Sequence, residues 1–237
     1  MAVILEKEPV ILLKGIQSEE ILVKQLLQSP RLVGYFEEIK QTLEEERKKR
    51  QQFYDMITEE QKAEFINGEI VMHSPAKLKH NLASSRLFTL LRTYVTLKNL
   101  GIVGHEKIMI SLTRNDYEPD ICFFGREKAD LLDLDQWQFP APDFIVEILS
   151  QSTEKRDRDD KFFDYAAHGV AEYWIIDPTE EFVEQYQLGG SAYKLLRKLD
   201  AGILKSIAIP GFEIPVRALF DEDEQKRALQ NIMTSAQ

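Results

Sequence analysis

Asp120 and Glu147 are acids in places where acids are costly. Glu147 lies inside Asp143-Phe144-Ile145-Val146-Glu147-Ile148-Leu149, a run that is apolar on both faces apart from this carboxylate. Asp120 follows Pro119 and leads into the apolar Ile121-Cys122-Phe123-Phe124. A carboxylate inside a buried strand is unfavourable unless it is paired, metal-bound or neutralised. If the two strands are neighbours, the acids can converge at one sheet edge and hold a hard divalent cation. Two carboxylates completed by water suit Mg²⁺, whereas Zn²⁺ favours His or Cys companions. The structural alternative pairs Glu147 with a buried Lys or Arg and leaves Asp120 closing a strand.

Downstream, Asp157, Lys161 and Tyr165 stand at i, i+4, i+8 and share a helix face that His168 continues. A lysine near two acids can stabilise the charge of a phosphoryl transition state or orient the attacking water. A Lys161–Asp157 ion pair on a solvated helix is the plainer alternative. His80 falls on the apolar side of an earlier helix and is expected to point inward, as a core histidine or a site residue. Glu69 is open between a site acid and an exposed strand residue. Residues 70–105 carry Lys77, Lys79, Arg86, Arg92 and Lys98 without any Asp or Glu. That local charge suits a polyanion, and also suits an ordinary wet helix face. There is no Gly-rich phosphate loop, Gly-x-Ser-x-Gly elbow, His-Glu-x-x-His or paired Cys-x-x-Cys.

The frame for these groups is a 237-residue chain, 43% hydrophobic and 30% charged, which is a globular composition large enough for a sizeable core. Thirty Lys+Arg against 40 Asp+Glu give −10, so any nucleic-acid contact must be local. The single Cys122 excludes an intramolecular disulfide framework, and a reducing, cytosolic setting is expected. No apolar run reaches a membrane span. Residues 9–13 predict a short strand, and Ser18 with Glu19 and Glu20 predicts a capped helix to about residue 28. Residues 30–57 predict a long amphipathic helix: Leu32, Phe36, Ile39 and Leu43 are spaced 4, 3, 4, and Glu44/Lys48, Glu45/Lys49 and Glu46/Arg50 pair at i,i+4. Such a helix packs along the body or self-associates. A strand follows Asn67-Gly68, and a helix runs from Ser74-Pro75 to about residue 99. Strands are expected at 103–112, 118–124, 143–149 and 172–178, with a helix at 152–168 between the last two. A hairpin at 182–196 and a frayed helix after Asp221 complete the reading.

In this order the residues resemble the Uma-two family of restriction-type endonucleases. The resemblance is carried by Asn67-Gly68-Glu69-Ile70-Val71, His80, Glu118-Pro119-Asp120-Ile121, the Asp143 to Ser150 strand, Asp157-x-x-x-Lys161-x-x-x-Tyr165, and Gly169 to Pro178. It implies an α/β (α+β) restriction-endonuclease-like PD-(D/E)xK core, a central mixed sheet flanked by helices. The expected division is an N-terminal helical extension at 1–57, the nuclease-like domain at 58–220 and a tail at 221–237. By resemblance Asp120 and Glu147 bind Mg²⁺ or Mn²⁺, and Glu69 is an auxiliary acid. The superfamily lysine belongs two residues after the second acid, where Leu149 stands, so a migrated Lys161 is its replacement. The implied activity is metal-dependent hydrolysis of DNA, with Lys77, Lys79, Arg86 and Arg92 toward the nucleic acid and the N-terminal helices available for a homodimer. The other readings are a non-catalytic DNA-binding or assembly module retaining the fold, and a hydrolase of smaller phosphodiesters.

Overall fold

The computed structural model describes residues 19–58 and 60–234, so the expected strand at 9–13 and the Ser18 cap lie outside the described residues. The chain divides into two compact units, Met1–Met56 and Ile57–Gln237. In the first, α1 (Glu19–Gln28) and α2 (Leu32–Met56) are separated at Ser29-Pro30, and Val33, Phe36 and Ile39 of α2 are exposed.

The second unit opens with the hairpin β1 (Ala63–Ile66) and β2 (Glu69–Met72). Asn67 and Gly68 both take positive φ (51° and 82°), the conformation a two-residue turn between twisted strands requires. Helix α3 (Leu78–Lys98) begins after the expected Ser74-Pro75, with Lys77 extended as its N-cap residue, and ends at left-handed Asn99. The strand expected at 103–112 is two strands, β3 (Gly101–His105) and β4 (Met109–Ser111). Positive φ at Glu106 and Lys107 breaks it and sends the halves into different sheets.

Next come β5 (Asp116–Tyr117), β6 (Ile121–Gly125), α4 (Arg126–Ala129), β7 (Gln138–Phe139) and β8 (Phe144–Ile148). The single helix expected at 152–168 is α5 (Glu154–Arg158) and α6 (Asp160–Ala167), interrupted where Asp159 leaves helical geometry (φ −115°, ψ −89°). The chain continues through β9 (Glu172–Asp177), β10 (Phe182–Gly189), β11 (Ala192–Leu199), β12 (Ile203–Lys205), β13 (Glu213–Pro215) and a 3-10 turn at Val216–Leu219. It closes with α7 (Glu222–Thr234). This last helix is packed rather than frayed, because Ala228 and Ile232 enter the core beside α3.

The larger sheet is mixed, ordered β11-β10-β9-β8-β6-β3, with β8 parallel to β9 and antiparallel to β6. A smaller sheet is ordered β2-β1-β5-β4-β7. Strand alternation divides the core in two. Phe144, Val146, Ile148 and Trp174 pack with Leu87, Leu90 and Leu91 of α3 and with α7. Ile145, Leu149, Tyr173 and Ile175 pack with Tyr165 of α6 and with Ile66, Ile110 and Tyr117 of the smaller sheet. Among the described residues no helix is long and apolar enough to cross a membrane.

Candidate active site

Alternation puts Glu147 on the same face of β8 as Ile145 and Leu149, toward α6 and β1. On β6 it puts Asp120 on the face of Cys122 and Phe124. The two strands pair Ile121↔Val146, Cys122↔Ile145 and Phe123↔Phe144, and one more step sets Asp120 opposite Glu147. Directly opposed antiparallel residues have Cβ atoms roughly 4.5–5.5 Å apart, so the two acids share one end of one face.

Lys161, from the first turns of α6, reaches into the same place. Its Nζ lies 2.9 Å from Glu64 Oε1, 3.0 Å from Glu147 Oε1 and 3.3 Å from Asp157 Oδ1. Tyr165, one turn on, donates to Glu147 Oε1 at 3.0 Å. The polar stripe expected on one helix is split between α5 and α6 and is buried: Asp157, Lys161 and Tyr165 are 1%, 2% and 0% exposed. Three carboxylates confront the three N–H bonds of one ammonium. His168, the continuation of the stripe, belongs elsewhere, 3.0 Å from Asp164 Oδ1 and 3.0 Å from Thr113 Oγ1.

Asp120 has a different set of partners. Its Oδ2 accepts the Ile148 backbone N–H at 2.8 Å and lies 3.2 Å from His80 Nε2, and its Oδ1 accepts from Lys62 Nζ at 3.2 Å. Burial works against its ionisation, but His80 and Lys62 outweigh burial and hold the carboxyl below its ordinary value. Glu64 is likewise held down at about 2, where Lys161 and His73 overcome the burial penalty. Glu147 goes the other way. Burial, joined by repulsion from Asp157, Asp120 and Glu64, lifts it well above its ordinary value in spite of Lys161. Asp157 is raised for the same reasons.

The structure thus brings Asp120, Glu147, Lys161 and His80 together. It does not bring Glu69. That residue begins the edge strand β2, beside the hairpin turn, and is exposed, and the acid that reaches the site from this hairpin is Glu64. The signal for Glu64 was the one that marked Glu147, a lone carboxylate among apolar strand residues (Ala63, Phe65, Ile66). Lys62 was missed because nothing in its neighbourhood in sequence marks it. Of the basic residues, Lys77 and Lys79 are exposed at the start of α3, the end from which His80 reaches Asp120, and Lys79 bonds Thr179 Oγ1. Arg86 turns toward the Leu219 carbonyl, and Arg92 lies over the Phe88 ring, so these two are spread along the helix.

The carboxylates of this site are less fully compensated than another buried acid of the same unit. Glu172, a fully buried acid elsewhere in the unit, is satisfied by donors from Trp174, Gln185, Ser206, Ile207 and Ala208. In the candidate site Glu64, Glu147 and Asp157 share one fully buried ammonium, that of Lys161, while Asp120 faces Lys62 and His80, and neither oxygen of Asp157 has a well-aligned donor. Hydrogen bonds to Glu147 from the described residues fall on Oε1 and leave Oε2 open. No group of three or more His, Cys, Asp or Glu is arranged around a metal position among the described residues. Asp120 and Glu147 are two facing carboxylates, a donor set whose chemistry suits Mg²⁺ completed by water rather than Zn²⁺.

Glu118 adjoins the site, donating its N–H to Glu64 Oε1 at 2.9 Å, and its Oε2 is buried without a partner. Burial, helped by Glu64 and opposed by Lys62, pushes its carboxyl up to about 7. Between the ordinary value of 4.5 and about 7 the folded chain keeps a proton that the unfolded chain has released, so this group's contribution to stability falls as pH rises through that window. With a discount for partial solvation, Glu118→Gln is expected to remove a loss on the order of 1–3 kcal/mol between pH 5 and pH 8. Urea melts at the two pH values check this; an equal loss in both proteins would refute it.

The sequence model of the Uma2 family, described as "Putative restriction endonuclease", matches residues 50–217. The chain belongs to the Uma2 family. Its match to an uncharacterized protein of Synechocystis sp. is 30% identical over 141 residues, 59% of this chain and 79% of that one. A second uncharacterized Synechocystis protein is 30% identical over 129 residues, 53% of this chain and 66% of its own length. Among solved structures, a protein from Anabaena variabilis, titled a putative nuclease belonging to DUF820, superposes with a TM-score of 0.63 at 19% identity. That likeness covers 73% of this chain and 96% of the other. The α+β architecture, mixed sheets with flanking helices, is thus the restriction-endonuclease-like nuclease fold that the sequence implied. The Uma2 match spans both acid-bearing strands, α6 and the β1–β2 hairpin.

Proposed function

We propose that this Uma2 chain hydrolyses DNA phosphodiester bonds with Mg²⁺ or Mn²⁺ held between Asp120 and Glu147. The observation that carries the reading is that the β6–β8 register, extended by one step, sets these two acids opposite each other at one end of one sheet face, in a site that buries Glu64, Asp120, Glu147 and Asp157. A divalent ion bound there supplies Lewis-acid stabilisation of the charge that builds on the phosphoryl oxygens. The chain's own groups hold the ligands. Ile148 N–H and His80 fix the Asp120 carboxylate, while Lys161 and Tyr165 fix Glu147 through Oε1 and leave Oε2 without a hydrogen bond from the described residues. Lys161 is 2% exposed and its donors face carboxylates, so it acts through Glu147 as a positioning residue rather than by touching the attacking water. Lys77 and Lys79, exposed at the near end of α3, are the cations best placed to meet the DNA backbone. The activity is assigned to the Ile57–Gln237 unit, with the two N-terminal helices as an arm available for self-association.

Purified full-length chain with Mg²⁺ or Mn²⁺ is expected to nick or cut supercoiled plasmid, and EDTA to stop it. Folded protein that cuts no DNA under any divalent ion, yet still retards it in a gel, would favour the non-catalytic DNA-binding module instead.

A further inference from the structure

Lys62 stands just before β1, and its ammonium is 3.2 Å from Asp120 Oδ1. Asp120 is engaged on both oxygens, so a cation drawn to this carboxylate meets a donor already on whichever oxygen it approaches. The Ile148 N–H is part of β8 and cannot withdraw. The His80 ring is carried by α3, is only 14% exposed, and occupies the other oxygen. Lys62 is the contact free to leave: its side chain is the most exposed of the three at 25%, it is long and flexible, and it has solvent to retreat into. Its ammonium also feels the Glu147 carboxylate, so it sits in the field of both proposed metal ligands.

We propose that Lys62 is an internal counter-ion that occupies the cation side of Asp120 in the metal-free site and must be expelled before a divalent ion can bind. The proposal rests on the metal reading above and deepens it. Two cations at contact distance on one carboxylate oxygen repel each other strongly, so metal affinity is set by the difference between the incoming ion's attraction to Asp120 and that of the lysine it replaces. An expelled Lys62 ammonium comes to the solvent side of the site, where a phosphodiester approaches. Competition in the resting state and phosphate attraction in the loaded state then belong to one side chain.

The test measures Mn²⁺ binding to the full chain without DNA, by electron paramagnetic resonance of free Mn²⁺ and by calorimetry. Lys62→Met is expected to bind Mn²⁺ more tightly by roughly tenfold, which corresponds to ~1.4 kcal/mol. Lys62→Arg, which keeps the charge, should stay within about twofold of wild type on the same scale. Lys62→Gln is the second neutral variant should the methionine protein fold poorly. Wild type binding Mn²⁺ with both neutral variants unchanged or weaker would overturn the counter-ion role and leave the metal site standing. No Mn²⁺ binding by wild type or by either neutral variant would overturn the metal site and this proposal with it. Binding that appears only when the lysine charge is removed would support both.

Discussion

Lys161→Met is expected to destabilise the folded chain by about 3–5 kcal/mol at pH 7, the cost of stranding buried carboxylates when the one fully buried cation that faces them among the described residues is removed. Methionine approximates the lysine's length and volume, so little of the loss comes from a cavity. Glu64 loses the attraction that does most to offset its burial, and Glu147 and Asp157, already raised, are left without compensation. The sign with pH follows. Glu147 and Asp157, already raised above the ordinary values of 4.5 and 3.8, lose in the variant the largest attraction that opposes their burial, so the folded state binds their protons and gains stability as pH falls. In wild type Glu64 behaves oppositely: with a folded value of about 2 against 4.5, it contributes stability above 4.5 that is lost as pH falls toward 2. The gap between the two proteins should therefore be widest near pH 8 and shrink toward pH 5. Urea melts across that range measure it. A gap below about 1 kcal/mol at pH 7, the scale of an exposed ion pair, would mean that Lys161 is not the keystone of the cluster.

Asp120→Asn should lower metal-dependent DNA cleavage on the order of a thousandfold, ~4 kcal/mol of transition-state stabilisation. The amide is nearly isosteric, and its carbonyl oxygen can still accept the Ile148 N–H, so the sheet end survives. What goes is the charge that attracts the cation and that holds Lys62 and His80 in place. Two side effects distinguish this loss from misfolding. Burial lowers the pKa of His80 and its bond to Asp120 more than restores it, so the variant's His80 should titrate at lower pH than in wild type. Because Asp120 is held below its ordinary 3.8, its contribution to stability is present above that value and lost on acidification. The variant should accordingly be less stable than wild type at pH 7 and match it in strong acid. Plasmid cleavage, Mn²⁺ binding and histidine NMR titration cover the three readouts. Cleavage by the variant within tenfold of wild type, with the same sensitivity to EDTA, would remove Asp120 from the reaction.

Much of this site was legible in the linear chain. Asp120 and Glu147 stood out because a carboxylate in an apolar strand demands a partner, and Lys161 because i, i+4 spacing joined it to Asp157 and Tyr165. Glu64 carried the same signal as Glu147 but sat in a strand hidden behind the Asn67-Gly68 turn, while Glu69, on the far side of that turn, drew attention by its place in the family pattern. The turn itself explains the difference: it sends Glu69 to the exposed end of an edge strand and leaves Glu64 facing α6.

Periodicity, turn residues and isolated charges are local properties, and from them the chain's own sequence determined most element types and the two acid-bearing strands, while the fold family came from the resemblance that the ordered motifs carry. Whether the polar stripe that runs from Asp157 of α5 to Tyr165 of α6 meets water or the sheet is not local, because the stripe looks the same in sequence in either setting. The tertiary structure decided that it is buried, with one ammonium among three carboxylates. It also decided that Lys62, far from Asp120 in sequence, lies against it. Contacts of that kind depend on the register of β6 on β8 and on where β1 docks, which are set by packing of the whole core rather than by any stretch of residues.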